Sequence, residues 1–115
     1  DRQVIDCFDR IRDTAVLMRA ALERENWPEV GRQVAQEWEN RKRLAPGVTT
    51  PQIDDLMAAA RRAGAVAAKV CGAGGGGCLF SFSEPDATDR VRAALTAGGA
   101  RILDYHIETE GLLIQ

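Results

Sequence analysis

The sequence has 115 residues, of which 45% are hydrophobic and 28% charged, and its formal net charge is −2. This length and balance predict one globular domain over residues 1–115 and exclude a disordered chain. The small net charge gives no electrostatic reason to expect nucleic acid or a membrane surface as a partner, and no apolar run approaches the roughly 20 residues of a membrane span.

The cysteine and histidine content argues against a disulfide scaffold or a zinc site. Cys7, Cys71 and Cys78 are irregularly spaced and odd in number, which favours reduced thiols in a cytoplasmic protein. His106 is the single histidine, too few for a usual zinc site, so no metal ligand is predicted. Because Asp1 already lies within helical periodicity, we expect the chain to be a piece of a longer protein.

Three helices are predicted in the first half of the chain. The first is defined by apolar residues at alternating spacings of four and three: Val4, Phe8, Ile11, Ala15, Met18 and Leu22. Asn26 and Pro28 begin a second helix that ends near Leu44. Its inner face is predicted from four apolar residues: Trp27, Val30, Val34 and Trp38. The short turn between the two predicts an antiparallel helical hairpin. Thr50-Pro51 begins a third helix, and Gly64 ends it.

After Gly64 the apolar period changes to two. "AVAAKVC" and "CLFSFS" predict two strands, a helix follows over about 86–97, and "RILDYHIE" and "LLIQ" predict two more strands. The order α-α-α-β-β-α-β-β predicts an α+β fold: a two-layer sandwich with a ferredoxin-like, mostly antiparallel sheet. Helices would cover one face of this sheet, and the helical hairpin would precede it.

The segment "KVCGAGGGGC", residues 69–78, concentrates five glycines between two cysteines. Apolar strands on both sides argue against a flexible linker, and a plain hairpin turn or bulge needs fewer glycines. No Lys-Ser or Lys-Thr follows, so it is not a Walker A loop, and a strand follows where a Rossmann fingerprint needs a helix. Its residues alone favour an oxyanion-binding loop built from backbone N–H groups, with the structural turn as the alternative.

The stretch "AAKVCGAGGGGCLF" resembles the third conserved motif of the GHMP kinases, the family of galactokinase, homoserine kinase and mevalonate kinase. "WENRKRLAPGVTTPQIDDLMAAARRAGAVAAKV" is similar to the sugar-kinase branch, particularly its heptose-7-phosphate and fucose kinase-like members, and "AGGARILDYHIETEGLLI" to the way those chains end. The resemblance implies the α+β C-terminal domain of a kinase that uses ATP and Mg²⁺ to phosphorylate a hydroxyl of a sugar or sugar phosphate.

The resemblance also implies a division of labour within the whole enzyme. ATP and Mg²⁺ would be bound mainly by an N-terminal kinase domain, whose Pro-x-x-x-Gly-Leu-Gly-Ser-Ser-Ala motif has no match here. The aspartate usually credited as base also lies in that domain, so this chain would hold no catalytic residue and would be inactive alone. The loop facing the cleft, near the transferred phosphate, would consist of Gly72, Ala73, Gly74, Gly75, Gly76 and Gly77.

Two cysteines, Cys71 and Cys78, help to indicate which branch of the family this chain resembles. Mevalonate kinase-like members carry Thr where Cys71 stands, so Cys71 agrees better with the sugar-kinase branch, whereas Cys78 replaces a Phe common there. Cys71 and Cys78 could also come within reach across a hairpin, as a regulatory disulfide or as reduced core thiols.

Other polar residues are candidates for the substrate pocket. Lys42 and Arg43 could reach a substrate phosphate or could simply complement a helix C-terminus. Thr49 and Thr50 could hydrogen-bond sugar hydroxyls, although Thr50 also suits a helix cap. Lys69 would point either to the cleft or to solvent, and Cys71, at the start of the glycine loop, is a further candidate for the pocket.

Two alternatives remain open at this point. One is a non-catalytic, ferredoxin-like ligand-binding or regulatory module whose glycine loop holds an anion. The other is a structural dimerisation domain. An exposed interdomain surface could also drive a homodimer.

Overall fold

The computed structural model describes residues 1–72, 77–107 and 109–111. The described elements are α1 (Arg2–Glu23), α2 (Trp27–Lys42), α3 (Pro51–Arg62), β1 (Ala65–Val70), β2 (Leu79–Ser83), a 3₁₀ turn (Pro85–Ala87) and α4 (Thr88–Ala97). This confirms the predicted α+β class. None of the described helices is long and apolar enough to cross a membrane.

The predicted starts of α2 and α3 are confirmed by their caps. The side chain of Asn26 accepts a hydrogen bond from Glu29 N at 3.4 Å, and Thr50 Oγ1 accepts one from Ile53 N at 3.2 Å. Proline follows in the first turn of both helices, where its missing N–H costs nothing. These caps fix the residue at which each helix begins.

The sheet places the glycine-rich segment at the end of two paired strands. β1 and β2 are antiparallel, with Lys69 opposite Phe80 and Val70 opposite Leu79. Helices α2 and α3 both pack on β1: Val34 shares a buried cluster with Ala67, and Ile53 shares one with Val70. The helices therefore hold β1, and β1 in turn carries the segment that follows it.

Half of the predicted apolar stripe of α1 is confirmed, because Val4, Ile11 and Met18 are half-buried and Met18 packs against a buried cluster. The fully buried line runs one residue away from the other half. Cys7, Thr14 and Ala21 are buried, while Phe8 keeps 57% of its surface exposed and Leu22 is also exposed. The reason is that α1 packs mainly against one neighbour, α2, and small side chains allow two helices to approach closely. The larger apolar residues then flank this contact.

The predicted inner face of α2 needs one correction. Trp38 is buried, as expected for the core, but Trp27 is 46% exposed. Trp27 is the first residue of α2, and at the end of the helical hairpin no further turn of helix covers its ring.

The predicted strand over "RILDYHIE" does not form. Residues 101–107 are described without strand structure and are exposed, with Tyr105 82% exposed. Alternating apolar residues form a strand only when a neighbouring strand accepts their backbone hydrogen bonds, and the described sheet contains only β1 and β2. The predicted strand "LLIQ" lies outside the described residues.

Gly31 permits the close approach of α2 to β1. A Cβ at this position would lie 2.6 Å from Val66 Cγ1. We expect Gly31→Ala to lower the free energy of unfolding by about 1–3 kcal/mol despite alanine's better helix propensity, because overpacking displaces the strand. Adding Val66→Ala removes the clashing methyl group and should recover most of this loss. Urea unfolding of the four members of this double-mutant cycle measures the coupling, and additive losses would contradict it.

Candidate functional site

The two ends of the glycine-rich segment are joined by a backbone hydrogen bond, and we call residues Cys71, Gly72, Gly77 and Cys78 the loop neck. Cys71 N donates to Cys78 O at 2.9 Å. Gly72 and Gly77 have φ of +76° and +85°, and nothing lies within 4 Å of a Cβ built on either. Glycine is therefore required here by backbone conformation, since only glycine adopts this region without strain.

The inner part of the predicted phosphate loop lies outside the described residues. It comprises Ala73, Gly74, Gly75 and Gly76. Their role in phosphate binding stays a prediction from the resemblance. Gly72 and Gly77 are described, and both are exposed at the neck.

A buried carboxylate joins α2 to β1 just below the loop neck. Glu37 is only 7% exposed, and both of its oxygens are paired. Arg41, one helical turn later, donates from Nε to Glu37 Oε1 at 2.7 Å, and Lys69 Nζ of β1 lies 2.7 Å from Glu37 Oε2. We call Glu37, Arg41 and Lys69 the ionic network.

The ionic network also contacts the glycine segment directly. Arg41 Nη1 donates to Gly72 O at 3.4 Å. One guanidinium therefore binds both the buried carboxylate of Glu37 and Gly72, the first glycine of the segment. The network carries two cations and one carboxylate, and hence a net charge of +1 beside the neck. The side chains of Arg41 and Lys69 remain 27% and 18% exposed. This arrangement favours an anion at the neck.

The pKa of the Glu37 carboxyl reflects two opposed effects. Burial by itself raises it, but hydrogen bonds and charge from Arg41 and Lys69 outweigh burial and lower the pKa below its ordinary value of 4.5. Glu37 is consequently ionised at neutral pH, which is the state that both cations require.

This lowered pKa makes the stability depend on pH in a defined direction. The ionised Glu37 contributes fully above the pKa of the unfolded chain, about 4.5, and the contribution is lost as the pH falls through the lower folded value. The stability difference between the unchanged protein and Glu37→Gln should therefore be constant near neutral pH and shrink below about pH 4.5. Urea unfolding across this range measures it, and a difference that grows on acidification would contradict the assignment.

Asn40 is a second buried polar group near this network. Its Nδ2 donates to Gln36 O at 3.0 Å, while its buried Oδ1 has no hydrogen-bond donor in the described part of the chain. A buried acceptor left unpaired costs about 1–3 kcal/mol.

The other predicted pocket residues are distributed over a different region. Lys42 pairs with Glu39 at 2.9 Å and stands over the ring of Trp38. Thr49 Oγ1 donates to Asp54 Oδ1 at 2.7 Å, Thr50 caps α3, and Arg43 is exposed after α2.

A cavity of about 200 Å³ between α2, α3 and β1 lies beside some of these predicted pocket residues. It is lined by Trp38, Glu39, Lys42, Asp54, Met57, Arg61, Ala65, Ala67 and Ala68. The lining includes Lys42 and the partner of Thr49, but no residue of the loop neck or the ionic network. The structure thus brings Lys69 and Cys71 to the neck and leaves Lys42 at a separate cavity.

Glu37 and Arg41 were missed by sequence reasoning, although the sequence carried a signal. Val34 and Trp38 define the inner face of α2, and Glu37 and Arg41 lie within one turn on that same face. Charged residues at positions predicted to be buried indicate a paired, functional or structural network.

Within residues 1–72, 77–107 and 109–111, no three acidic, histidine or cysteine side chains gather into a potential metal site.

Comparison with known proteins identifies a protein family and several kinases that are similar to this chain. A family described as "GHMP kinases C terminal" matches residues 18–101. Mevalonate kinase of Thermococcus gammatolerans is 42% identical over 71 residues, which cover 62% of this chain and 21% of that enzyme. Mevalonate kinase of Pyrococcus furiosus is 41% identical over the same share of both chains.

Two sugar-kinase relatives are more distant but match nearly the whole chain. D-glycero-alpha-D-manno-heptose 7-phosphate kinase of Campylobacter jejuni is 24% identical over 112 residues, 97% of this chain and 33% of that enzyme. L-fucokinase/L-fucose-1-P guanylyltransferase of Bacteroides fragilis is 27% identical, covering 96% of this chain and 12% of that protein. The chain spans a third or less of each of these relatives.

Proposed function

The chain belongs to the GHMP kinases as a C-terminal domain of that family, and from this membership we propose that the whole protein phosphorylates a hydroxyl of a sugar or sugar phosphate with ATP. Residues 1–115 would form one domain that supplies the substrate-side wall of the cleft. An N-terminal domain of the same protein would bind ATP and Mg²⁺ and complete the active site. The protein would act in the cytoplasm.

The anchoring of the glycine segment carries this proposal. Arg41 links Gly72 O to the buried carboxylate of Glu37, and Lys69 binds the same carboxylate from β1. The segment therefore starts from a fixed backbone position beside two cations. Phosphoryl transfer depends on positioning the reactants and on stabilising negative charge. The backbone N–H groups of a preorganised loop can stabilise that charge without reorganising during the reaction.

When bound, ATP would supply the transferred phosphoryl group and Mg²⁺ would neutralise its charge. The residues of this chain would hold the glycine segment, orient the acceptor hydroxyl and keep a positive potential beside the transferred group. Gly72 and Gly77, with no side chain over the neck, would leave room for a phosphate or sugar to approach the backbone.

Sugar acceptors are favoured by the extent of similarity. The two sugar-kinase relatives match 96–97% of the chain, whereas the mevalonate kinases match 62%. Cys71 also agrees with the sugar-kinase branch. A mevalonate-type acceptor is the second candidate, because identity in the shared 71 residues reaches 42%. Both acceptors are alcohols, so the proposed chemistry is the same.

The test is an acceptor screen with the full-length protein, ATP and Mg²⁺. Free sugars, sugar phosphates and mevalonate are offered separately, and the phosphorylated product is identified by ³¹P NMR. We expect turnover with a sugar or sugar phosphate. Turnover with mevalonate alone would overturn the sugar assignment in favour of the second candidate. Binding of these compounds without transfer of phosphate would instead support a non-catalytic ligand-binding module.

The division into two domains has its own test. The isolated 115 residues should phosphorylate none of these acceptors, because ATP binding and the base are assigned to the N-terminal domain. Turnover by the isolated chain would contradict that division. Sedimentation of the full-length protein and of the isolated chain would show whether the missing domain leaves a surface that dimerises.

A further inference from the structure

Cys71 and Cys78 occupy directly opposite positions at the end of the sheet. The β1–β2 register pairs Lys69 with Phe80 and Val70 with Leu79, and its next step pairs Cys71 with Cys78. The hydrogen bond from Cys71 N to Cys78 O at 2.9 Å continues the ladder to this pair. The two cysteines are therefore fixed by the strands and do not depend on residues 73–76.

This placement suits a disulfide. Opposite residues of antiparallel strands point to the same face, and a hydrogen-bonded pair has Cα atoms about 5.5 Å apart. Disulfides span Cα separations of about 4.4–6.8 Å but need Cβ atoms about 3.5–4.5 Å apart, so the Cβ atoms of this hydrogen-bonded pair must approach each other by roughly 1 Å. Both thiols are exposed, whereas Cys7 is buried in α1. Small thiol reagents can therefore reach Cys71 and Cys78 selectively.

We propose that Cys71 and Cys78 form a reversible dithiol–disulfide site that controls the kinase proposed above. The inference rests on that proposed function for its regulatory consequence, and on the strand register for the disulfide itself. The oxidant is a low-molecular-weight disulfide of the glutathione class. One cysteine thiolate attacks it, forming a mixed disulfide and releasing one glutathione thiol; the second cysteine thiolate then attacks the mixed disulfide and releases the other. Two protein thiols are oxidised as one glutathione disulfide is reduced to two thiols.

The bond would act at the neck of the glycine segment. Gly72 follows Cys71 and Gly77 precedes Cys78 in the sequence. Gly72 O also accepts the hydrogen bond from Arg41. A covalent link between Cys71 and Cys78 restrains both ends of the segment at once. Drawing the two Cβ atoms together narrows the neck and prevents it from adjusting around an acceptor, so oxidation is expected to lower kcat by about tenfold or more.

The disulfide is tested by mass spectrometry on the full-length protein. It is incubated with oxidised glutathione, its free thiols are blocked with N-ethylmaleimide, and it is digested with trypsin. Both cysteines fall in one tryptic peptide, residues 70–90. We expect this peptide to be two hydrogens lighter and unmodified by N-ethylmaleimide. A peptide carrying glutathione or N-ethylmaleimide on both cysteines would overturn the proposal.

The regulatory consequence is tested by turnover of the same samples. Oxidation should reduce kcat and dithiothreitol should restore it, in the unchanged protein and in the control Cys7→Ser. The double variant Cys71→Ser/Cys78→Ser, which has no thiol at the neck, should have the same kcat before and after oxidation. An intact disulfide with undiminished kcat would overturn the regulatory role. Absence of turnover in the reduced protein would instead overturn the proposed function and this role with it, while the mass of peptide 70–90 would still decide the disulfide.

Discussion

Glu37→Gln is expected to lower the free energy of unfolding by about 3 kcal/mol, because it leaves two mostly buried cations without a counterion. Arg41 and Lys69 both point at this one carboxylate. A glutamine side chain retains the shape and one acceptor oxygen but supplies no negative charge. Urea unfolding at neutral pH measures the loss.

Glu39→Gln is the matched control for this prediction. Glu39 lies two residues away on the same helix and pairs with Lys42 at 2.9 Å, but its side chain is 55% exposed. An exposed pair of this kind contributes about 0–1 kcal/mol. Adding Lys69→Met to Glu37→Gln should recover part of the loss, since it removes one unpaired charge. Equal losses from Glu37→Gln and Glu39→Gln would show that the ionic network is no stronger than a surface pair.

Gly77→Val is expected to lower kcat of the proposed full-length kinase by about 100-fold while changing ATP affinity little. Gly77 has φ +85°, which a β-branched residue adopts only with strain, although nothing within 4 Å obstructs a Cβ. The neck must therefore change its backbone conformation to accept valine. Because the proposed nucleotide site lies in the N-terminal domain, the effect should fall on turnover. Steady-state kinetics and ATP titration separate the two quantities.

Gly99→Val is the control that separates the effect of backbone strain in general from the effect of strain at the loop neck. Gly99 follows α4, has φ +98° and equally open surroundings, and belongs to neither the loop neck nor the ionic network. Both substitutions should destabilise the protein by about 1–2 kcal/mol, the usual cost of this conformation. Only Gly77→Val should reduce kcat strongly. A comparable fall of kcat in Gly99→Val would mean that lost stability, and not the neck, accounts for the effect.

Local signals in the sequence were sufficient for the helices and for the family. Asn26-Trp27-Pro28 and Thr50-Pro51 predicted the starts of α2 and α3, because capping depends on residues only three positions apart. The change of apolar period after Gly64 predicted β1 and β2. The glycine-rich motif predicted the GHMP kinase family through resemblance, and the match over residues 18–101 confirms it.

Features that depend on packing against another element were not predicted correctly from the sequence. Phe8 and Leu22 fitted the helical period of α1 but are exposed, because the side of α1 that meets α2 is chosen by close packing. Residues 101–107 alternate like a strand yet have none of its structure, because a strand exists only with a partner. The sequence left open whether Lys69 points to the cleft or to solvent, and only the structure shows its ion pair with Glu37.

The amino-acid sequence by itself determined where the helices begin, which segments pair as β1 and β2, and which kinase family this chain belongs to. All three depend on residues close together in the chain or on a contiguous motif. The tertiary structure decided that Glu37 of α2 meets Lys69 of β1, and that Arg41 of α2 reaches Gly72. These contacts join residues some thirty positions apart, and only the packing of α2 on β1 brings them within hydrogen-bond distance.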